Sequence, residues 1–161
     1  MHPKGHHVTG AATGAIVAGI ARLGHPDFNA VHLGALVLAG WFGGVAPDRL
    51  EFLLTRRHRW CPHRTFTHWG ILWILLFGFA LIQVFWPHAL HLGFPAILSW
   101  LILGFSSGGL VHLLMDWPNP TGVPWWLPFR RHSLNLWNSG RMDILLSLVF
   151  IGAAYLVWRF F

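Results

Sequence analysis

The chain has 161 residues, of which 55% are hydrophobic, 16% aromatic and only 10% charged, whereas a soluble globular domain carries charge at about a quarter of its positions. Eleven Lys and Arg against five Asp and Glu give a formal charge of +6. No nucleic-acid-binding module surrounds those arginines, so the excess is read as membrane topology, helped by anionic headgroups, and direct nucleic-acid binding is not expected.

The composition predicts an integral membrane protein. Eleven tryptophans and thirteen phenylalanines against a single tyrosine suit lipid-facing surfaces and interfacial belts. One cysteine, Cys61, excludes an internal disulfide. Crossing a hydrocarbon core of about 30 Å takes roughly 20 helical residues, and five apolar stretches follow one another along the chain. The first, HHVTGAATGAIVAGIARLG, offers only about 15 apolar or small residues before Arg22, which predicts a short, tilted or partly re-entrant helix. Its Gly10 and Gly14 form a GxxxG that Ala15 and Gly19 continue, a small-residue stripe suited to burial against other helices, unless it merely reflects membrane-helix composition. Histidines where a basic n-region is expected, and no A-x-A-like site, disfavour a cleavable signal peptide. The next stretches, about 31–54, 66–86, 95–115 and 142–161, are long enough to span. The expected fold is all-α: one integral membrane helical bundle over residues 1–161, with about five transmembrane helices.

If the spans alternate, one side of the membrane receives Lys4, Arg49, Arg56, Arg57, Arg59, Arg64, Arg130, Arg131 and Arg141, and the other only Arg22 and Arg159. The positive-inside rule makes the first side cytoplasmic, with the N-terminus inside and the C-terminus outside. On that map Asp48, His63, His68, His112 and Asp116 all come to helix ends on the cytoplasmic side, where His6 and His7 also begin the first helix. His112 and Asp116 are four apart and share a helix face, as paired ligands of one metal do. Ionisable groups within a span are costly unless paired, hydrated or coordinated. Taken singly, Asp116 could cap a turn and Asp48 could pair with a neighbouring arginine; His25, His32, His58, His88, His91 and His132 carry little functional weight. The convergence of three His/Asp clusters on one side favours a cytoplasm-facing His/Asp site.

The strings APDRLE, HRTFTH and HLLMDWPNPTGVP resemble the signature blocks of a family of membrane-bound metal-dependent hydrolases predicted from sequence, also called LexA-binding inner-membrane-associated hydrolases. The resemblance runs from His6 to about Phe129. It implies His6 as an early ligand, with His7 the neighbouring alternative, Asp48 as the first acid, His63, Arg64, Thr67 and His68 as the third block, and His112, Asp116, Pro120 and Gly122 as the last. The second acid expected two residues after Asp48 is Leu50 here, and the nearest carboxylate is Glu51.

The implied metal ligands are His6, Asp48, His68, His112 and Asp116. Imidazoles with carboxylates suit Zn²⁺ first, with Mn²⁺ or Fe²⁺ where oxygen ligands predominate, and such an ion lowers the pKa of water toward neutrality. Asp48, Glu51, His63 and Arg64 are the expected catalytic groups, Arg64 as a bidentate partner of phosphate. Arg64, Thr67 and Asn119 would orient substrate or ligands. The expected function is hydrolysis of a lipid-associated ester, foremost a phosphoester, at a bacterial-type inner (cytoplasmic) membrane. Its partners would be membrane lipids, including a lipid-phosphate substrate. The alternative is a metal-stabilised scaffold or interaction protein with no catalysis. Transport of a metal ion or proton is disfavoured, since no relay of ionisable residues crosses to the other side.

Overall fold

The computed structural model describes residues 1–57, 64–89, 93, 95–138 and 140–161. Among the described residues six helices follow in chain order: α1 (Pro3–Gly24), α2 (Ala30–Gly43), α3 (Ala46–Arg57), α4 (Gly70–Phe85), α5 (Ala96–Asp116) and α6 (Asp143–Phe160). A single 3-10 turn, Phe66–His68, precedes α4, and a two-stranded hairpin, β1 (Val123–Leu127) with β2 (Arg130–His132), follows α5. The fold is thus mostly helical, with a small antiparallel hairpin that the apolar pattern did not announce.

By length and composition α5 and α6 can each cross a membrane, and α2 with α3 make a third candidate if the pair is one span broken by 48°. The stretch 31–54 is therefore two helices. Gly43, Gly44 and Pro47 sit at the break, Pro47 in the first turn of α3, where its missing N–H removes no helical bond. The first helix runs unbroken for 22 residues, and α4 is apolar but has only 16.

The bundle centres on α1, α2 and α5, with α4 against α5 and α6 against α1. Glycine sets how closely the centre packs. A Cβ on Gly10 would meet the Gly40 carbonyl of α2, and one on Gly108 of α5 would meet that same carbonyl and the backbone of Gly44. Three backbones therefore pass where no larger residue fits, the close approach that small-residue helix interfaces permit. The stripe of α1 divides further along: Gly14 lies on α2, and Gly19 on Val157 and Trp158 of α6. Trp158 Nε1 donates to the Ala15 carbonyl at 2.9 Å. α2 begins in a capping box, with Asn29 accepting from Val31 N and His32 Nδ1 accepting from Asn29 N at 3.2 Å, which gives His32 a structural task.

At one end of the bundle Leu36, Leu103, Trp100 and Ala80 form an apolar core. At the other, Trp73, Leu113, Val123 and Ala46 form a second core, which seats the hairpin against α4 and α5 and underlies the polar cluster.

Candidate metal centre

Four elements bring His6 (α1), Asp48 (α3), His68 (the 3-10 turn) and His112 with Asp116 (α5) together in two triads that share His112: His6, His112 and Asp116, and Asp48, His68 and His112. The i,i+4 spacing on α5 puts His112 Nε2 3.6 Å from Asp116 Oδ2. The His6 ring stacks on that of His112 with centroids 3.9 Å apart, and its Nε2 is 3.5 Å from Asp116 Oδ1. On the far side His112 Nε2 is 3.6 Å from Asp48 Oδ1, which also meets His68 Nε2 at 3.1 Å.

These spacings fit a bound cation better than they fit hydrogen bonds. Both ring nitrogens of His6 and Nε2 of His112 are buried without a hydrogen-bond partner, a condition that buried polar groups ordinarily escape. Separations of 3.5–3.6 Å are long for N–H···O bonds, but two ligands each about 2.0–2.1 Å from a tetrahedral ion lie roughly 3.3–3.4 Å apart. The tautomer of His112 suits the same task. Its Nδ1 is 2.8 Å from the carbonyl of Gly44, which can only accept, so the proton sits on Nδ1 and the Nε2 lone pair faces the cluster. One lone pair serves one ion. The five groups therefore make either a single shared site or two sites of which one alone uses His112.

A ring of further contacts holds the ligands. Asn119 Nδ2 donates to Asp116 Oδ1 at 3.0 Å, and the Met1 nitrogen lies 3.0 Å from the same oxygen. Arg64 pairs its Nη2 with Asp116 Oδ2 at 2.6 Å, and its Nη1 donates to Thr121 Oγ1 at 2.6 Å. Arg64 adopts φ 55°, a left-handed backbone unusual for a non-glycine residue, and its N–H donates to Glu51 Oε2 at 3.0 Å. Glu51 stands behind His68, Oε2 being 3.2 Å from Nδ1, while Thr67 Oγ1 is 3.1 Å from the same nitrogen. His68 precedes α4. Burial works against its charged form, but the hydrogen bonds to Asp48 and Glu51 outweigh it and raise its pKa above the ordinary imidazole value.

Of the residues singled out from sequence, His6, Asp48, His68, His112 and Asp116 come together, with Glu51, Arg64, Thr67 and Asn119 around them. His63, His58 and His91 lie outside the described residues. His7 turns elsewhere: its ring stacks on Trp41 and Nδ1 is 3.0 Å from the Trp41 carbonyl. Sequence reasoning missed the Gly44 carbonyl that sets the His112 tautomer and the hydroxyl of Thr121 beneath Arg64. The small-residue run GGVAP was the available signal for the first; the second lies within the HLLMDWPNPTGVP block, between Pro120 and Gly122, but was not singled out.

Fold and site together define a mostly helical membrane protein whose interior gathers His and Asp side chains that could hold a metal ion. The chain belongs to the YdjM inner membrane protein family, whose pattern matches residues 1–160. Comparison with curated proteins and with solved structures gives no match.

Proposed function

We propose that this protein is a metal-dependent hydrolase of a lipid-associated ester, foremost a phosphoester, working at the cytoplasmic face of the inner membrane. The observation that carries the reading is unequal burial within the cluster. The side chains of His6, His68, His112 and Asp116 are at most 1% exposed, whereas Asp48 is 41% exposed. Structural zinc sites are closed and catalytic ones keep an accessible position, and Asp48 leaves this cluster one open side. The competing scaffold reading draws on the burial of the other four groups.

In this reading His6, His112 and Asp116 would hold the ion and His68, which belongs with Asp48 and His112 in the second triad, would bear on it through those two residues, with Zn²⁺ the first expectation and Mn²⁺ or Fe²⁺ the alternatives. Bound there, a divalent ion supplies Lewis acidity and makes water acidic enough to attack near neutral pH. Asp48, at the mouth, orients the attacking water and receives its proton. Arg64 is engaged through Nη1 and Nη2, so it braces Asp116 first, and a substrate oxygen would reach its guanidinium only by displacing one of those contacts. The proposal includes the full topology: α1, the α2–α3 pair, α4, α5 and α6 as five spans, N-terminus inside and C-terminus outside, on the Lys and Arg distribution.

The test is metal analysis of detergent-purified protein with a panel of phospholipid and soluble phosphoester substrates. His112→Ala should empty the site, because both triads contain it. Asp48→Asn should retain most of the metal but lose on the order of 10²-fold or more in turnover. Full metal content with no hydrolysis of any substrate by the parent protein would favour the scaffold.

A further inference from the structure

α3 has two faces. Asp48 and Glu51, three residues apart, turn to the cluster, where both meet His68. Leu50, Leu53 and Leu54 follow the i, i+3, i+4 spacing of a separate face and are 42%, 61% and 47% exposed. With Phe66, Leu72 and Trp73 they wall a groove of about 520 Å³. Trp73 is its floor, 5% exposed and anchored by Nε1 donating to the Thr67 carbonyl at 2.8 Å.

We propose that this groove holds one acyl chain of a bilayer phospholipid whose phosphate headgroup lies at the His/Asp cluster. Continuity between the two chemistries identifies the occupant. Thr67 lines the groove, and its hydroxyl reaches His68 Nδ1 at 3.1 Å; Leu50 lines it from between the two acids of the cluster. A molecule that fills both places needs a long apolar part joined to an oxyanion. The protein belongs to an inner-membrane family, so phospholipid is the amphiphile at hand, and an exposed apolar wall on α3 faces it at no solvation cost. The position of Leu50 follows from the same division of faces: an acid there would put a charge on the acyl wall, since Asp48 and Glu51 already occupy the inward face.

The inference deepens the hydrolase reading by naming its substrate class, but it is tested without turnover. Metal-loaded protein is reconstituted in phosphatidylcholine vesicles holding a small fraction of phosphatidylglycerol with a diazirine near the end of one acyl chain, and the labelled peptides are mapped after irradiation. α6 is the internal reference, because none of its residues is buried and any lipid touching the protein labels it. Leu50→Trp and Leu53→Trp fill the groove from exposed positions, and retained metal content and thermal melts check that both variants fold; Leu148→Trp, on α6 and 61% exposed, is the control. Labelling of peptides 46–57 and 66–76 should exceed that of α6, saturate, and fall roughly tenfold in both groove variants but not in the control. Groove labelling equal to that of α6, or unchanged by both groove tryptophans, overturns the inference. Groove-specific labelling in a protein that hydrolyses nothing leaves the lipid site standing and removes the hydrolase. Hydrolysis of short soluble esters by protein whose groove is not selectively labelled does the reverse.

Discussion

Replacing Glu51 tests whether it is a metal ligand or the support of one. Its Oε2 lies 3.2 Å from His68 Nδ1 and 3.0 Å from the Arg64 N–H, so the geometry makes it the carboxylate that orients His68 and leaves Nε2 to face the cluster. Glu51→Gln keeps the shape and a carbonyl acceptor but removes the charge. A hydrogen bond to a charged group contributes about 1.5–3 kcal/mol and a neutral one about 0.5–1.5 kcal/mol. The difference, about 1–1.5 kcal/mol, corresponds to roughly five- to twelvefold weaker metal binding. Glu51→Ala also frees the imidazole to rotate, and loss of such a partner commonly costs about 10–100-fold. Competition against a chromophoric chelator in detergent measures both affinities, and elemental analysis at saturation measures stoichiometry, which should not change. Loss of one ion per chain in Glu51→Gln would make Glu51 a ligand. Parent-like affinity in both variants would show that it does not orient His68.

Two further predictions concern packing and topology. Gly108→Leu drives a side chain against the Gly40 carbonyl and the Gly44 backbone; it should lower stability by about 1–3 kcal/mol and weaken metal binding with it, whereas Gly34→Ala, with nothing within 4 Å, should do neither, as thermal melts and chelator competition will read. In a Cys61→Ser background, cysteines introduced at positions 60 and 130 should react from the same side of the membrane; labelling from opposite sides overturns the five-span map.

Two of the long apolar runs were legible to within a residue, 95–115 as Ala96–Asp116 and 142–161 as Asp143–Phe160, because in both the apolar composition and the helix end together. Where hydropathy stays high through a change of direction, it misleads. The run 31–54 hides a 48° break, although Gly43, Gly44 and Pro47 mark it, because hydropathy does not register backbone geometry. His68 was expected at the start of a helix, and α4 begins at Gly70 instead, after a turn in which Trp69 is extended. The pairing of His112 with Asp116 could be read from spacing because both ride one helix. The place of Glu51 could not: whether a carboxylate on α3 faces an ion or the back of an imidazole depends on where the following turn docks. The hairpin was illegible for a similar reason, since its strands are short and WPNPTGVPWW reads as turn residues and interfacial aromatics.

Position 44 answers to two demands at once. Its missing Cβ lets the α2 end lie against the His6 carbonyl and Gly10 of α1, while its carbonyl, 2.8 Å from His112 Nδ1, fixes which ring nitrogen carries the proton. A residue with a side chain there would push α1 away, carrying His6 with it, and in the same displacement release His112 from the acceptor that aims it. Spacing between the stacked imidazoles and the aim of one of them are thus set by one backbone unit. No compensating change at a ligand can repair such a shift, because a new side chain at position 6 or 112 would start from a displaced helix; only a change that restores the crossing can.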